Sequence, residues 1–77
     1  MIGVVTKVFR NTPNEQRKDK GGYFFVRGED GHDRFAHARD IGQDIFPTLQ
    51  EGARVEFKPL SGGPRGNGLR AEEVVLL

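Results

Sequence analysis

The chain has 77 residues, a formal net charge of +1 and no cysteine. This length predicts one small domain, residues 1–77, and leaves no room for a second, while the lack of cysteine excludes disulfides and thiolate metal sites. No apolar run approaches membrane-spanning length and no signal-peptide pattern is present, so we expect a cytoplasmic protein that binds no membrane.

The charges are distributed unevenly along the chain. Residues 1–27 contain six basic and two acidic side chains, a local charge of +4, whereas the remainder contains six basic and nine acidic side chains. A locally positive edge would attract phosphate groups weakly and in a salt-sensitive way. A solvated loop would have the same composition, so both interpretations stay open.

The first half of the chain predicts three strands. Residues 2–9 are rich in β-branched side chains and form the first, followed by a polar loop over residues 10–21. The second and third strands, over 22–27 and 33–38, flank an Asp-Gly pair, which is a strong hairpin signal.

The second half predicts two further strands and little helix. Residues 41–50 include glycine and proline, so any helix there is at most about one turn. Val55 and Phe57 alternate with charged residues and predict a fourth, half-buried strand that Pro59 ends. After a glycine-rich connection, residues 69–76 can supply a fifth. Five short strands in so few residues favour an all-β closed barrel, because closure removes exposed sheet edges.

Aromatic residues occupy alternate positions on the second and third strands. Residues 22–26 read Gly-Tyr-Phe-Phe-Val and residues 33–37 read Asp-Arg-Phe-Ala-His. Alternate residues of a strand share a face, so the hairpin should present four flat rings together. These are Tyr23, Phe25, Phe35 and His37. Unpaired nucleobases are the commonest flat partner for such a patch, and His37 could also hydrogen-bond through its ring nitrogens.

In this order the motifs resemble a bacterial cold-shock domain along the whole chain. The resemblance rests on the glycine-rich first strand, the two aromatic runs, Phe-Pro-Thr-Leu-Gln-Glu-Gly at 46–52 and Gly-Leu-Arg-Ala at 68–71. It implies a five-stranded antiparallel OB-fold barrel that binds single-stranded RNA or DNA by stacking, as an RNA chaperone or regulator of gene expression. It also implies that the four rings bind nucleic acid together with Phe46, which matches an aromatic residue after the third strand.

The first strand departs from the family, because the chain contains no tryptophan. Aligned on Gly3 and Val5, Lys7 occupies the position of the family's stacking tryptophan, which would replace a stacking site with a phosphate contact. Aligned on residues 7–9, Phe9 would instead match a second aromatic of the family. We favour the glycine alignment because it keeps Val5 facing inward, and Phe9 stays ambiguous between core and surface.

Four further basic residues are candidate phosphate contacts: Lys20, Arg27, Arg39 and Arg65. Lys20 ends a basic cluster in a loop, residues 10–20, that is longer than the family's usual link and could be either a phosphate clamp or inert. Arg39 and Arg65 also fit ordinary exposed side chains.

Arg34 occupies a position that is usually valine in the family and faces inward by alternation, where an arginine needs a partner. We expect its stem to lie over Phe24 and its guanidinium to reach solvent, Asp33 or Asp44.

Catalysis has little support in the sequence. His32 and His37 lie five residues apart on a turn and a strand and do not converge, and no third metal ligand is evident. Ser61 is the only serine and lies far from either histidine in sequence, so a nucleophilic triad is not indicated. We expect no enzyme activity, no cofactor and no metal.

Two points on partners stay open at this stage. We expect a monomer, with a strand-exchanged dimer as the alternative because of the long first loop. The rival function is an OB-fold interaction module that docks on a protein or ribosomal surface, since one fold hosts many functions.

Overall fold

The computed structural model describes residues 1–10, 22–61 and 68–77, so most of the polar loop and of the glycine-rich connection lies outside the described residues. The strands are β1 (Ile2–Phe9), β2 (Tyr23–Gly28), β3 (Asp33–His37), β4 (Arg54–Ser61) and β5 (Leu69–Leu76). A single helical turn, α1 (Ala38–Ile41), and a 3₁₀ turn (Phe46–Thr48) lie between β3 and β4. Of the helices described, none is long and apolar enough to cross a membrane.

The five strands close into a barrel in the order β1-β2-β3-β5-β4, with β4 pairing back onto β1. Four neighbouring pairs are antiparallel, and β3 and β5 are parallel, with Phe35 opposite Arg70. A ring with an odd number of strands cannot alternate in direction at every step, so one parallel pair is unavoidable. The predicted all-β, OB-type barrel is confirmed, with mixed rather than wholly antiparallel pairing.

Inward-facing strand residues, as alternation predicts, form most of the core, and Ala38, Ile41, Phe46 and Leu49 complete it. Phe24 and Val26 of β2 and Val55 of β4 have no exposed surface, and Val5 of β1 is 1% exposed. The burial of Val5 agrees with the orientation on which the glycine alignment rests. Gly3 lies close against the neighbouring strand β2, because a Cβ atom there would stand 2.6 Å from the carbonyl oxygen of Arg27.

Arg34 is buried at one end of the barrel, as alternation predicts, but its partners differ from those expected. Its guanidinium donates to both carboxylate oxygens of Asp30, at 3.0 and 2.7 Å, and lies 5.5 Å from the ring centroid of Phe57 rather than over Phe24. The turn between β2 and β3 brings Asp30 back toward the barrel end, with Gly31 at a φ of 84°.

Hydrogen bonds from Arg34 and from the backbone N–H of His32 hold the pKa of the Asp30 carboxyl well below its ordinary value. Asp33, one of the two carboxylates that we expected to pair with Arg34, instead accepts hydrogen bonds from Arg27.

The expectation that Pro59 ends the fourth strand is wrong, because β4 continues to Ser61. The pairing of β4 with β1 covers only Arg54–Glu56, and in the described residues beyond that point β4 pairs with β5 alone. A proline has no N–H to donate to a neighbouring strand, so it is tolerated where one side of the strand is open.

Candidate nucleic-acid interface

The outer faces of β1, β2 and β3 form one continuous surface with rings in two rows. In the first row Tyr23 stands between Phe9 and His37, and in the second Phe25 stands between Lys7 and Phe35. We call this surface the aromatic face. Its members are Lys7, Phe9, Tyr23, Phe25, Phe35 and His37. The structure thus brings together the four rings predicted from the hairpin and adds two residues from β1.

The rings of the aromatic face also pack against one another. Phe9 and Tyr23 stack with centroids 4.9 Å apart, and Tyr23 and Phe35 are tilted at 5.5 Å. Phe25 meets Phe35 edge to face at 5.9 Å. Tyr23, Phe25 and Phe35 are half-buried, so their outer sides remain accessible. The rings therefore form one packed aromatic layer on the outside of the barrel.

A β-bulge determines which residues of β1 belong to the aromatic face. The register with β2 shifts between Val5 and Lys7, which leaves Thr6 as the extra residue. Val5 therefore points into the core, while Lys7 and Phe9 lie opposite the ring-bearing residues of β2. Phe9 is 41% exposed, which resolves its ambiguity in favour of the surface.

His37 is both a member of the aromatic face and the N-cap of α1. Its Nδ1 atom accepts a hydrogen bond from the backbone N–H of Arg39 at 3.2 Å, and its own backbone N–H donates to Asp40 at 2.9 Å. These two bonds form a reciprocal capping box. Since Nδ1 is an acceptor here, the neutral imidazole carries its proton on Nε2, which makes that atom the donor.

Phe46, predicted as a stacking residue, is a core residue in the structure. It is 6% exposed, and its ring lies 6.0 Å from that of Phe24. The guanidinium of Arg10 lies 5.3 Å from the Phe46 ring and donates to the carbonyl oxygens of Phe46, Pro47 and Leu49, which secures the 3₁₀ turn over the barrel. Phe46 therefore lies in the core rather than on the aromatic face, and its role in stacking stays a prediction.

The candidate phosphate contacts have different environments. Lys7 and Arg39 are exposed. Arg27 is also exposed but donates to Asp33 at 2.9 Å, and this hydrogen bond raises the pKa of Arg27 and lowers that of Asp33. Lys20 and Arg65 lie outside the described residues, as does the basic cluster around Lys20.

Arg70 is a neighbour of the aromatic face that the sequence did not identify. It lies opposite Phe35, and its guanidinium stands 3.6 Å from Asp40 and 3.5 Å from Glu72. Asp40 in turn accepts the backbone N–H of His37, so Arg70 supports the end of β3 that carries two of the rings. Only the parallel pairing of β3 with β5 brings Arg70 here, and no local pattern signals such a long-range pair.

These features define a class of protein. An OB-type barrel with aromatic rings and basic side chains on one outer face has the architecture of proteins that bind single-stranded nucleic acids. In the described ranges, no group of three histidine, aspartate or glutamate side chains could hold a metal ion.

Comparison with known proteins identifies the family within this class. Residues 15–77 match the family described as 'Cold-shock' DNA-binding domain. The chain therefore belongs to the cold-shock domain family. The matched region begins after β1, the strand in which the sequence departs from the family by lacking tryptophan.

Relatives from several bacteria support the same assignment. The chain is 41% identical over 64 residues to a cold shock-like protein of Aquifex aeolicus, an alignment that covers 80% of this chain and 91% of the relative. It is 41% identical over 56 residues to the major cold shock protein CspA of Pseudomonas aeruginosa, covering 73% and 77%. Cold shock protein 1 of Lactiplantibacillus plantarum is 54% identical over 39 residues, covering 51% and 58%.

Membership in this family establishes the general activity. Cold-shock domain proteins bind single-stranded nucleic acids and are not enzymes. The protein is therefore a nucleic-acid-binding protein rather than an enzyme, as the sequence predicted.

Proposed function

We propose that the aromatic face binds single-stranded RNA or DNA by base stacking, with little sequence preference, and that the protein acts as an RNA chaperone or regulator of gene expression. The observation that carries this proposal is the pair of rows across β1, β2 and β3, in which neighbouring half-exposed rings lie 4.9 to 6.2 Å apart. Every base has a π-face, so such a layer accepts bases regardless of sequence.

The expected affinity follows from the number of bases that the face can engage. Each stacked base is worth about 1–3 kcal/mol, and the ordering of a flexible strand offsets a large part of the total. With roughly three or four bases engaged, dissociation constants should lie nearer the micromolar than the picomolar range. The small charge excess favours weak binding, and the lack of tryptophan leaves a larger share of that binding to salt-sensitive contacts with phosphates.

Charge on the aromatic face should position the phosphate backbone. Lys7 lies in the same row as Phe25 and Phe35, so its ammonium group can meet a phosphate beside bases stacked on those rings. Arg27 continues the outer face of β2, and Arg39 follows the end of β3. With about two to four phosphate contacts, the slope of log affinity against log salt should lie between roughly −1.4 and −2.8.

A chaperone role follows physically from stacking. Bases held individually against protein rings are unavailable for pairing, so binding favours single strands over duplexes. We further propose that the protein does this as a monomer, since the aromatic face is formed within one chain by three adjacent strands.

Fluorescence polarisation with labelled oligothymidine and oligouridine tests the proposal. We expect the double variant Phe25→Ala plus Phe35→Ala to lose most binding to both, and wild type to bind a duplex of the same length poorly. The matched control is Val75→Ala, which removes an exposed apolar side chain from β5. Circular dichroism confirms that each variant is folded. Wild-type affinity in a folded double variant would refute stacking.

Intrinsic fluorescence supplies a second, local readout. Tyr23 is the only tyrosine and the chain has no tryptophan, so tyrosine emission reports the aromatic face directly. Stacking of a base on Tyr23 should quench this emission in step with the polarisation signal. Binding of the oligonucleotide without any change in tyrosine emission would indicate that it binds at another surface. The aromatic face would then be available for a different role, such as docking on a protein.

A further inference from the structure

A groove lies beside the aromatic face, at the end of β1 that precedes the bulge. Its volume is about 480 Å³. This is within the range of clefts that hold small ligands, roughly 300–1,000 Å³. The side chains that line it come from β1, β2, the following turn and β4: Ile2, Val4, Thr6, Arg27, Glu29 and Arg54.

The strand register makes the groove a continuation of the aromatic face. Val4 lies opposite Arg27 on one side and opposite Arg54 on the other, which forms a third row across the sheet. Arg27 and Phe25 are alternate residues of β2 and so share its outer face. A strand that stacks on Phe25 can therefore continue into the groove without leaving the sheet surface.

The lining combines an apolar floor with a cationic rim. Val4 is 40% exposed, although the side chains opposite it are charged. Two guanidinium groups, those of Arg27 and Arg54, face a single lining carboxylate, that of Glu29. Within residues 1–10, 22–61 and 68–77, no carboxylate forms an ion pair with Arg54. Arg27 uses Nε and Nη2 for Asp33, and its remaining N–H groups can donate elsewhere.

We propose that this groove accepts one further nucleotide of the bound strand, with its phosphate at Arg54 and its base or sugar over Val4. The inference rests on the proposed function, because it extends the path of the strand from the aromatic face. It adds a subsite whose contribution depends on the length of the ligand, whereas the rings of the aromatic face act on every ligand long enough to stack.

A length series of oligothymidines, about three to eight nucleotides, tests the subsite by fluorescence polarisation. For wild type we expect affinity to increase with length until the groove is filled. Arg54→Gln should weaken binding of the long oligomers by roughly two- to tenfold and leave the short ones unchanged. For long oligomers only, the magnitude of the slope of log affinity against log salt should decrease by about 0.7 in this variant.

The matched control is Lys58→Gln, which removes one positive charge from the same strand outside the groove. A second variant, Val4→Glu, places a negative charge on the floor and should also affect long oligomers alone. Thermal melting verifies that all three variants fold.

The outcomes separate the subsite from the proposed function. If Arg54→Gln and Lys58→Gln lost the same affinity at every oligomer length, Arg54 would act only through general electrostatic attraction. That result would overturn the subsite. So would wild-type affinity of Arg54→Gln for long oligomers. Failure of the proposed function would appear differently, as retention of short-oligomer binding in the folded Phe25→Ala plus Phe35→Ala variant.

Discussion

The ring of Phe9 lies on the ring of Tyr23, with centroids 4.9 Å apart and 22° between their planes. This contact joins β1 to β2 on the outside of the barrel, where neither ring belongs to the core. Aromatic pairs add about 0.5–1.5 kcal/mol beyond the area they bury. Phe9 should therefore contribute both to the stability of the barrel and to the surface that the ligand meets.

Replacement of Phe9 by leucine separates these contributions, because it keeps an apolar side chain and removes the ring. We expect affinity for oligothymidine to fall by roughly 5- to 150-fold, the equivalent of one stacked base. The free energy of unfolding should fall by about 0.5–1.5 kcal/mol. Polarisation and urea denaturation measure the two effects. Unchanged affinity alongside reduced stability would make Phe9 a packing residue only.

His37 offers a second separation of roles, since its ring belongs to the aromatic face and its Nδ1 atom caps α1. His37→Ala should lose both functions, with about 0.5–2 kcal/mol of stability lost with the cap. His37→Asn keeps a good N-cap without a ring, so stability should recover while binding stays weak. Thermal melting and polarisation on the two variants provide the check. If His37→Asn bound like wild type, the ring would have no part in recognition.

The Asp30–Arg34 pair predicts how stability depends on pH. Its hydrogen bonds lower the pKa of Asp30, so the folded state keeps this carboxylate ionised where the unfolded state binds a proton. The pair therefore stabilises above the unfolded pKa of about 4, and its contribution is lost as pH falls further. Asp30→Asn should be clearly destabilised at neutral pH, because the buried Arg34 loses its anionic partner, and less sensitive to acid than wild type.

Asp33→Asn is the matched control, because it removes the same chemical group from an exposed pair with Arg27. We expect its stability at neutral pH to remain close to that of wild type. Urea denaturation across an acid-to-neutral series measures both variants. Equal destabilisation of the two would show that burial of Arg34 does not determine the importance of its partner.

Lys7 should contribute to the salt dependence of binding rather than to its sequence preference. Lys7→Gln should reduce the magnitude of the slope of log affinity against log salt by about 0.7, the share of one phosphate contact on a single strand. The loss should be equal for oligothymidine and oligouridine. Lys58→Gln, on the exposed side of β4, should leave the slope unchanged. An unaltered slope in Lys7→Gln would remove Lys7 from the set of phosphate contacts.

Much of the fold follows from local patterns in the sequence. The alternation of Val55 and Phe57 with charged residues and the Asp-Gly turn predicted strands where β4 and the β2–β3 hairpin occur. The four-ring group was also predictable, because it depends only on alternation within two strands joined by a short turn. These interactions are near in sequence, so local propensity and register determine them.

The remaining features depend on contacts between distant segments. The sequence predicts Phe46 as a surface aromatic residue, whereas in the structure the guanidinium of Arg10, 36 residues away in sequence, lies over its ring. Arg70 reaches the aromatic face only through the parallel pair with β3. Alternation fails in β1 because Thr6 is an extra residue, and no side-chain pattern marks a bulge unambiguously. In each case tertiary packing determines the environment of the side chain.

The bulge at Thr6 divides β1 into two segments with opposite alternation of inward-facing and outward-facing residues. Before it, packing around Gly3 and Val5 fixes which residues point inward, and after it the side chains are displayed in the opposite phase. The position of the bulge, as well as the order of the residues, therefore determines which residues of β1 lie on the aromatic face. Deletion of Thr6 would remove the bulge and leave Lys7 opposite Phe25 and Phe9 opposite Tyr23, so the aromatic face would keep its residues. Insertion of one residue between Lys7 and Val8 would instead bring Val8 opposite Tyr23 in place of Phe9, so a change of length after the bulge can alter this surface without any substitution in the core.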